Sequence, residues 1–205
     1  MVRTAESLRT AVQALAGRER AFALAVERHG LPEPRSSEAG AHTLLRTIVG
    51  QQVSVAAARS MWSKLESAYG APPDLAAILT ASDEELRRAG ISRQKAGYAR
   101  SLAELVLNKE LDLNSLPGDD DEAIALLTRI KGIGRWSAEI YLLFAEGRAD
   151  VWPAGDLAVQ VGIGRLLGLE SRPTEKHLRE IAEPWRPYRG AAAILAWHSY
   201  NSAVL

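Results

Sequence analysis

Apolar positions along this chain recur every three or four residues, not every second one, which is the spacing of one face of an α-helix. Leu8, Val12, Leu15, Phe22 and Val26 trace such a face over residues 4–29, in one helix or two, closed by Gly30 before Pro32 and Pro34. Leu44, Leu45, Ile48 and Val49 form the next, from about Ala39 to Gly50, where Gln51-Gln52-Val53-Ser54 interrupts it. Ser54 suits the N-cap of a helix carrying Ala58, Met61, Trp62 and Leu65 in line and ending at Gly70, with Trp62 read as core. The Pro72-Pro73 turn leads into a short helix, and Ser82 with Glu85 has capping-box spacing for another that stops at Gly90. Ser92 caps a longer helix through Val106, with Leu102, Leu105 and Val106 inward and Arg93, Lys95 and Arg100 on a solvated face.

After the Leu116-Pro117-Gly118 turn the helical segments shorten. Asp119 to Glu122 load a helix start with acid, as the positive end of its dipole favours, and Ile124, Leu127 and Ile130 follow at helical spacing up to a stop near Ile130. Lys131-Gly132-Ile133-Gly134 is a tight hinge, and Arg135 opens a second helix through Leu143. Residues 150–155 are extended, because Pro153 biases Trp152 away from helix; Asp156 then starts a helix with Val159, Ile163, Leu166 and Leu167 on one face, running to Gly168. Thr174 caps a short helix ending before Pro184, and residues 188–200 form the last. With no strand-like alternation and no internal repeat, the class is all-α.

Composition narrows what such a fold does. The 205 residues suffice for a proper core, in one large domain or two small ones. Twenty-five basic residues balance 25 acidic ones, so nucleic acid held by bulk charge is disfavoured and any DNA contact is local. The absence of cysteine excludes disulfides, thiolate metal sites and iron–sulfur clusters, and His29, His42, His177 and His198 show no ligand spacing for a transition metal. No charged-then-apolar leader opens the sequence and no apolar run is long enough to span a bilayer, so a cytoplasmic protein without membrane contact is the expectation.

Two pieces carry candidate chemistry. A Gly-x-Gly hinge leaves the amides of Gly132, Gly134 and the next helical turn pointing outward, a nest that grips phosphate without reading sequence, with Arg129, Lys131 and Arg135 adding charge. The same glycines equally serve close packing of two helices. The other piece is Asp156, which after Pro-Ala-Gly and before an apolar helix is also what an ordinary N-cap looks like.

Taken together, KGIGRWSAEI, the Trp152-Pro153-Ala154-Gly155-Asp156 segment and the 22-residue spacing from Gly134 to Asp156 resemble the helix-hairpin-helix DNA glycosylases, and most of all their 3-methyladenine DNA glycosylase II (alkylbase) branch. The resemblance runs from about His42 to Tyr200. It implies two helical modules flanking a cleft: a central bundle of residues 36–147 containing the hairpin, and a terminal module of residues 1–35 and 148–205 carrying the catalytic aspartate. Branches that carry a cluster are excluded by the missing cysteines.

What the resemblance implies for single residues is specific. Asp156 stabilises the positive charge that grows on the sugar as the C–N bond breaks, or activates the attacking water; the sequence leaves both roles open. Members that also cut the backbone carry a Schiff-base lysine where this chain has Trp136, so a monofunctional enzyme using water is implied. Trp136, Trp197 and Tyr141 are expected to line a base pocket, their rings suiting a cationic N-alkylated purine. DNA contacts are expected from Lys131, Gly132, Ile133, Gly134 and Arg135, and from Gln51, Gln52 and Ser54, with Gln52 as the wedge that fills the stack after base flipping. Departures from the family pattern are Lys131 for proline, Gln52 for leucine in some members, and Ile140 for a tyrosine of the larger bacterial enzymes. No cofactor is expected, although hairpin carbonyls of Ile130 and Ile133 are where relatives hold a monovalent cation. The expected partner is double-stranded DNA containing alkylated bases, with no obligate protein partner and a monomeric chain. Two rivals stay open: a glycosylase for uracil, hypoxanthine or an ethenoadduct, and a non-catalytic helix-hairpin-helix DNA-binding protein in which Asp156 only caps. Asp150, Glu139 and Glu146 are read as ordinary solvated carboxylates.

Overall fold

The computed structural model describes residues 4–202, and every regular element among them is helical. Capping side chains set where most of the helices begin. Thr4 accepts the Ser7 amide to open α1 (Ala5–Ala16), and the Glu19 carboxylate accepts the Ala21 amide to open α2 (Arg20–His29), so the first amphipathic stretch is two helices. Helix α3 (Ala41–Gly50) is followed by α4 (Val55–Tyr69), capped by Ser54, and α5 (Leu75–Thr80), capped by Asp74. The Ser82–Glu85 capping box opens α6 (Asp83–Arg88), and Ser92 opens α7 (Arg93–Leu107). Asp119 caps α8 (Asp120–Leu127), after which come α9 (Arg135–Tyr141) and a π-helical turn, Leu142–Glu146. Asp156 caps α10 (Leu157–Leu166) and Thr174 caps α11 (Glu175–Ile181); a 3-10 turn, Glu183–Trp185, precedes α12 (Arg189–Ser202). Among the described residues no helix is long and apolar enough to cross a membrane.

The helices gather into two units: a central one, Glu38–Tyr141, and a terminal one made of the described residues up to Ser37 together with those from Leu142 onward. The central unit therefore ends at Tyr141, short of residue 147, because Leu143 is buried in the core of the terminal unit and Phe144 packs against that core. In the same way α9 gives out at Tyr141, two residues before the expected Leu143, where the wider π turn takes over.

The terminal unit is built on Leu8, Val12 and Leu15 of α1, Phe22 of α2, Val159 and Ile163 of α10, Leu178 of α11 and the run Ala191–Ala196 of α12. Trp185 joins this core, edge-on to Phe22 at 4.8 Å and to Trp152 at 5.7 Å. In the central unit Leu44, Leu45 and Ile48 of α3, Leu65 of α4, Ile78 of α5, Leu86 of α6, Leu102 of α7 and Leu127 of α8 are fully buried. Each such side chain contributes about 1.5–3 kcal/mol by leaving water. Trp62 is core as expected, its indole N–H donating to Glu66 and the Arg46 guanidinium lying over its ring.

Helix α7 departs from its expected faces. Lys95 is buried, not solvated, because it lies four and seven residues before the buried Ala99 and Leu102, on one helical face with them. Its ammonium donates to the Val49 carbonyl at 2.7 Å, and burial holds its pKa below the ordinary lysine value. Leu105 and Val106, expected inward, are only half-buried near the helix end.

Candidate active site and DNA-binding hairpin

In the terminal unit a compact turn delivers Asp156. Pro153 keeps Trp152 extended, the Ala154 amide donates to the Trp152 carbonyl at 2.8 Å, and the Asp156 amide donates to the Pro153 carbonyl at 2.9 Å. Trp152 anchors the turn through its indole N–H, which donates to the Leu178 carbonyl, and the Gln160 side chain donates to the Ala154 carbonyl at 2.8 Å. The Asp156 Oδ1 then accepts the Val159 amide at 2.9 Å, a conventional N-cap bond. The same oxygen accepts the indole N–H of Trp197, also at 2.9 Å. A cap needs only the first bond. The second, from α12, fixes the rotation of a half-buried carboxylate that stands at the positive end of α10.

Trp197 thus has its N–H edge on Asp156 and its ring in the wall of a cavity of about 280 Å³. Phe144, from the π turn, faces that ring at 5.6 Å and 33°, and Glu33, Arg35, Ile194 and His198 complete much of the lining. Nothing in Leu142-Leu143-Phe144 distinguishes this aromatic from a core residue, so sequence reasoning passed over Phe144. Asp150 is no rival to Asp156: Arg189 grips it through Nε and Nη2, and Arg186 reaches it at 2.6 Å. Glu146 is paired with Arg148.

The central unit carries the hairpin. From the end of α8 the Arg129 and Ile130 amides donate three residues back, and the Ile133 amide donates to the Ile130 carbonyl at 3.0 Å. Ile130 is fully buried, so the remaining lone pair of its carbonyl is not open to solvent in this structure. Gly132 has φ 83°, and a Cβ there would lie 2.2 Å from the Tyr98 ring, so glycine is required. The Lys131 amide donates to Ser101 Oγ at 3.2 Å, while the amides of Gly132 and Gly134 have no partner among the described residues. These two exposed amides are the groups available to phosphate.

Charge around the hairpin is more committed than its sequence suggests. Arg135 pairs with Asp121 at 2.6 Å and Glu139 at 3.0 Å, and Arg129 pairs with Glu110. Glu139, expected on a solvated face, is 2% exposed because its α9 face is the inner one and Arg135 one turn away neutralises it. Lys131 is exposed, with no ion pair among the described residues. Trp136 is 47% exposed, an unusual display for an indole. Tyr141 is 4% exposed, and its hydroxyl accepts the Gly40 amide at 2.8 Å. In the interrupting loop, Gln51 donates to the Gly132 carbonyl, Gln52 is exposed with φ 56°, and the Ser54 hydroxyl accepts the Ala57 amide at 3.2 Å.

The model of the HhH-GPD superfamily base excision DNA repair proteins matches residues 45–187. The alkylbase DNA glycosidase-like protein mag2 of Schizosaccharomyces pombe is 30% identical over 172 residues, covering 80% of this chain and 79% of its own length. DNA-3-methyladenine glycosylase 1 of the same yeast is 32% identical over 164 residues, covering 78% and 72% respectively. Among solved structures, a DNA-3-methyladenine glycosidase from Bacillus halodurans matches with a TM-score of 0.87 at 30% identity, over 95% of this chain and 90% of that one. The Schizosaccharomyces pombe 3-methyladenine DNA glycosylase Mag1, in complex with abasic DNA, matches with a TM-score of 0.79 at 28% identity, over 96% and 97%. With a family model spanning most of its length and relatives of this likeness, the chain belongs to the HhH-GPD superfamily of base excision DNA repair proteins.

Proposed function

We propose that the chain is a monofunctional DNA glycosylase that takes an N-alkylated purine of the 3-methyladenine type out of the duplex and hydrolyses its N-glycosidic bond. The observation that carries this reading is the double restraint on Asp156 Oδ1, from the Val159 amide and the Trp197 indole. A carboxylate held in one orientation stabilises a developing oxocarbenium ion without reorganising at the moment of reaction. The C–N electron pair leaves with the base, which loses its positive charge in doing so; water supplies the new C–O bond, and its proton goes to Asp156 or to solvent. A base already cationic needs no strong general acid. The names of the relatives, DNA-3-methyladenine glycosylases among them, support this substrate, and the abasic DNA bound to Mag1 supports a duplex partner.

Trp136 stands where a lysine nucleophile serves the backbone-cutting members, so the reaction stops at an abasic site. Its exposed indole offers a stacking and cation–π surface worth about 0.5–2 kcal/mol to an electron-poor ring. The test is a panel of duplexes, each with one defined lesion, incubated with the protein with and without borohydride. Free alkylpurine should appear, strands should break only after alkali, and no covalent adduct should be trapped. A trapped adduct would remove the monofunctional assignment; release of uracil, hypoxanthine or an ethenoadduct in preference to alkylpurine would remove the substrate.

A further inference from the structure

Gln51 connects the two features of the central unit that face DNA in the proposed function. Its side-chain amide donates to the Gly132 carbonyl at 2.8 Å across 81 residues of sequence. Its backbone amide donates to the Ile48 carbonyl, closing α3, and Lys95 of α7 donates to the next carbonyl, that of Val49, at 2.7 Å. The loop is therefore anchored at its root from α7 and at Gln51 from the hairpin. Just beyond these anchors Gln52 adopts φ 56°, a region that side chains other than glycine avoid and that persists only where the surroundings impose it. Gln52 is exposed there, followed by Val53 and by Val55, which is 78% exposed. The receiving end is equally fixed, since Gly132 lies against the Tyr98 ring and Lys131 is bonded to Ser101.

We propose that Gln51 is a positioning residue, and that its amide ties the loop to the hairpin so that the side chain of residue 52 enters the base stack in fixed register with the phosphate held at the hairpin. This rests on the glycosylase reading above. Flipping leaves a gap that has to be filled at one place along the strand. A wedge that drifts relative to the phosphate grip fills it less often, because its effective concentration at the gap falls. The bond to Gly132 needs an N–H donor, which methionine of similar length lacks.

The test is Gln51→Met, assayed by single-turnover base release from two duplexes. One carries an alkylpurine opposite its normal partner base; the other carries the same lesion opposite an abasic site, where it is already unpaired. The expected result is a loss on the paired lesion at least about tenfold greater than on the unpaired one, since only the former needs the wedge to hold it open. Thermal melting is measured alongside, and a 2-aminopurine reporter beside the lesion should lose its flipping signal in the variant. Equal losses on both duplexes, as a merely structural role gives, overturn the proposal, and so does an unchanged rate on the paired lesion. Wild-type protein that releases no base from either duplex counts against the enzymatic reading itself.

Discussion

Asp156→Asn is expected to slow single-turnover release of alkylated purine by about 10²–10³-fold, the scale of losing one preorganised electrostatic group from an active site. The fold should survive, for a reason the geometry supplies. Asparagine is as good an N-cap as aspartate, and its carbonyl oxygen can keep both bonds that Oδ1 accepts, from Val159 and from Trp197. What disappears is the negative charge that the proposed mechanism sets against the sugar. Binding to a duplex with an abasic analogue should therefore persist, since the hairpin in the central unit is untouched. Release at the wild-type rate would mean that Asp156 only caps α10 and that another group carries the chemistry.

Gly162→Ala should damage both stability and catalysis through packing alone. Helix α10 carries Asp156 at its start, and α12 carries Trp197. A Cβ on Gly162 would lie 2.7 Å from the Ala196 carbonyl oxygen and 3.2 Å from Ala196 Cβ. Alanine improves helix propensity by about 1 kcal/mol over glycine, which favours the variant. Against it stands a collision with backbone, which no rotamer change relieves; overpacking of this kind costs about 1–3 kcal/mol. The collision wins, with melting falling by roughly 2–4 °C per kcal/mol in a chain of this size. Because α12 must shift to make room, the 2.9 Å bond from Trp197 to Asp156 lengthens, and base release should fall even at temperatures where the variant is folded. Calorimetry with single-turnover assays at 20 °C checks both halves. A variant as stable and active as wild type would show that the separation of α10 and α12 does not set the carboxylate.

Much of this was legible because capping is local. Ser54, Ser82, Ser92, Asp119, Asp156 and Thr174 each accept an amide within three residues, so polar side chains ahead of apolar periodicity mark those starts directly. The hairpin was readable for a similar reason: its glycines lie two residues apart and their neighbours form short helices. What sequence does not carry is the partner that comes from far along the chain. The Trp197–Asp156 bond spans 41 residues and the Lys95–Val49 bond 46, and neither periodicity nor spacing announces them. Sequence suggests a pocket wall for Trp197; in the structure its ring lines a cavity and its N–H holds Asp156, a bond no spacing predicts. Tyr141 likewise has a partner that spacing does not announce, its hydroxyl accepting the amide of Gly40. Arg135 shows why counting basic residues misleads, since two carboxylates hold its charge before DNA arrives.

The central claim is that Asp156 confronts the sugar of an extruded nucleotide. A crystal structure with duplex DNA containing a cationic pyrrolidine abasic-site analogue tests it directly, because that ring nitrogen mimics the charge of the transition state. The account predicts a carboxylate oxygen of Asp156 within about 3 Å of the nitrogen, the distance of a charge-assisted hydrogen bond, with the Trp197 bond intact. A nitrogen met by another acidic side chain, or by solvent alone while Asp156 stays turned to its own helix, would contradict it.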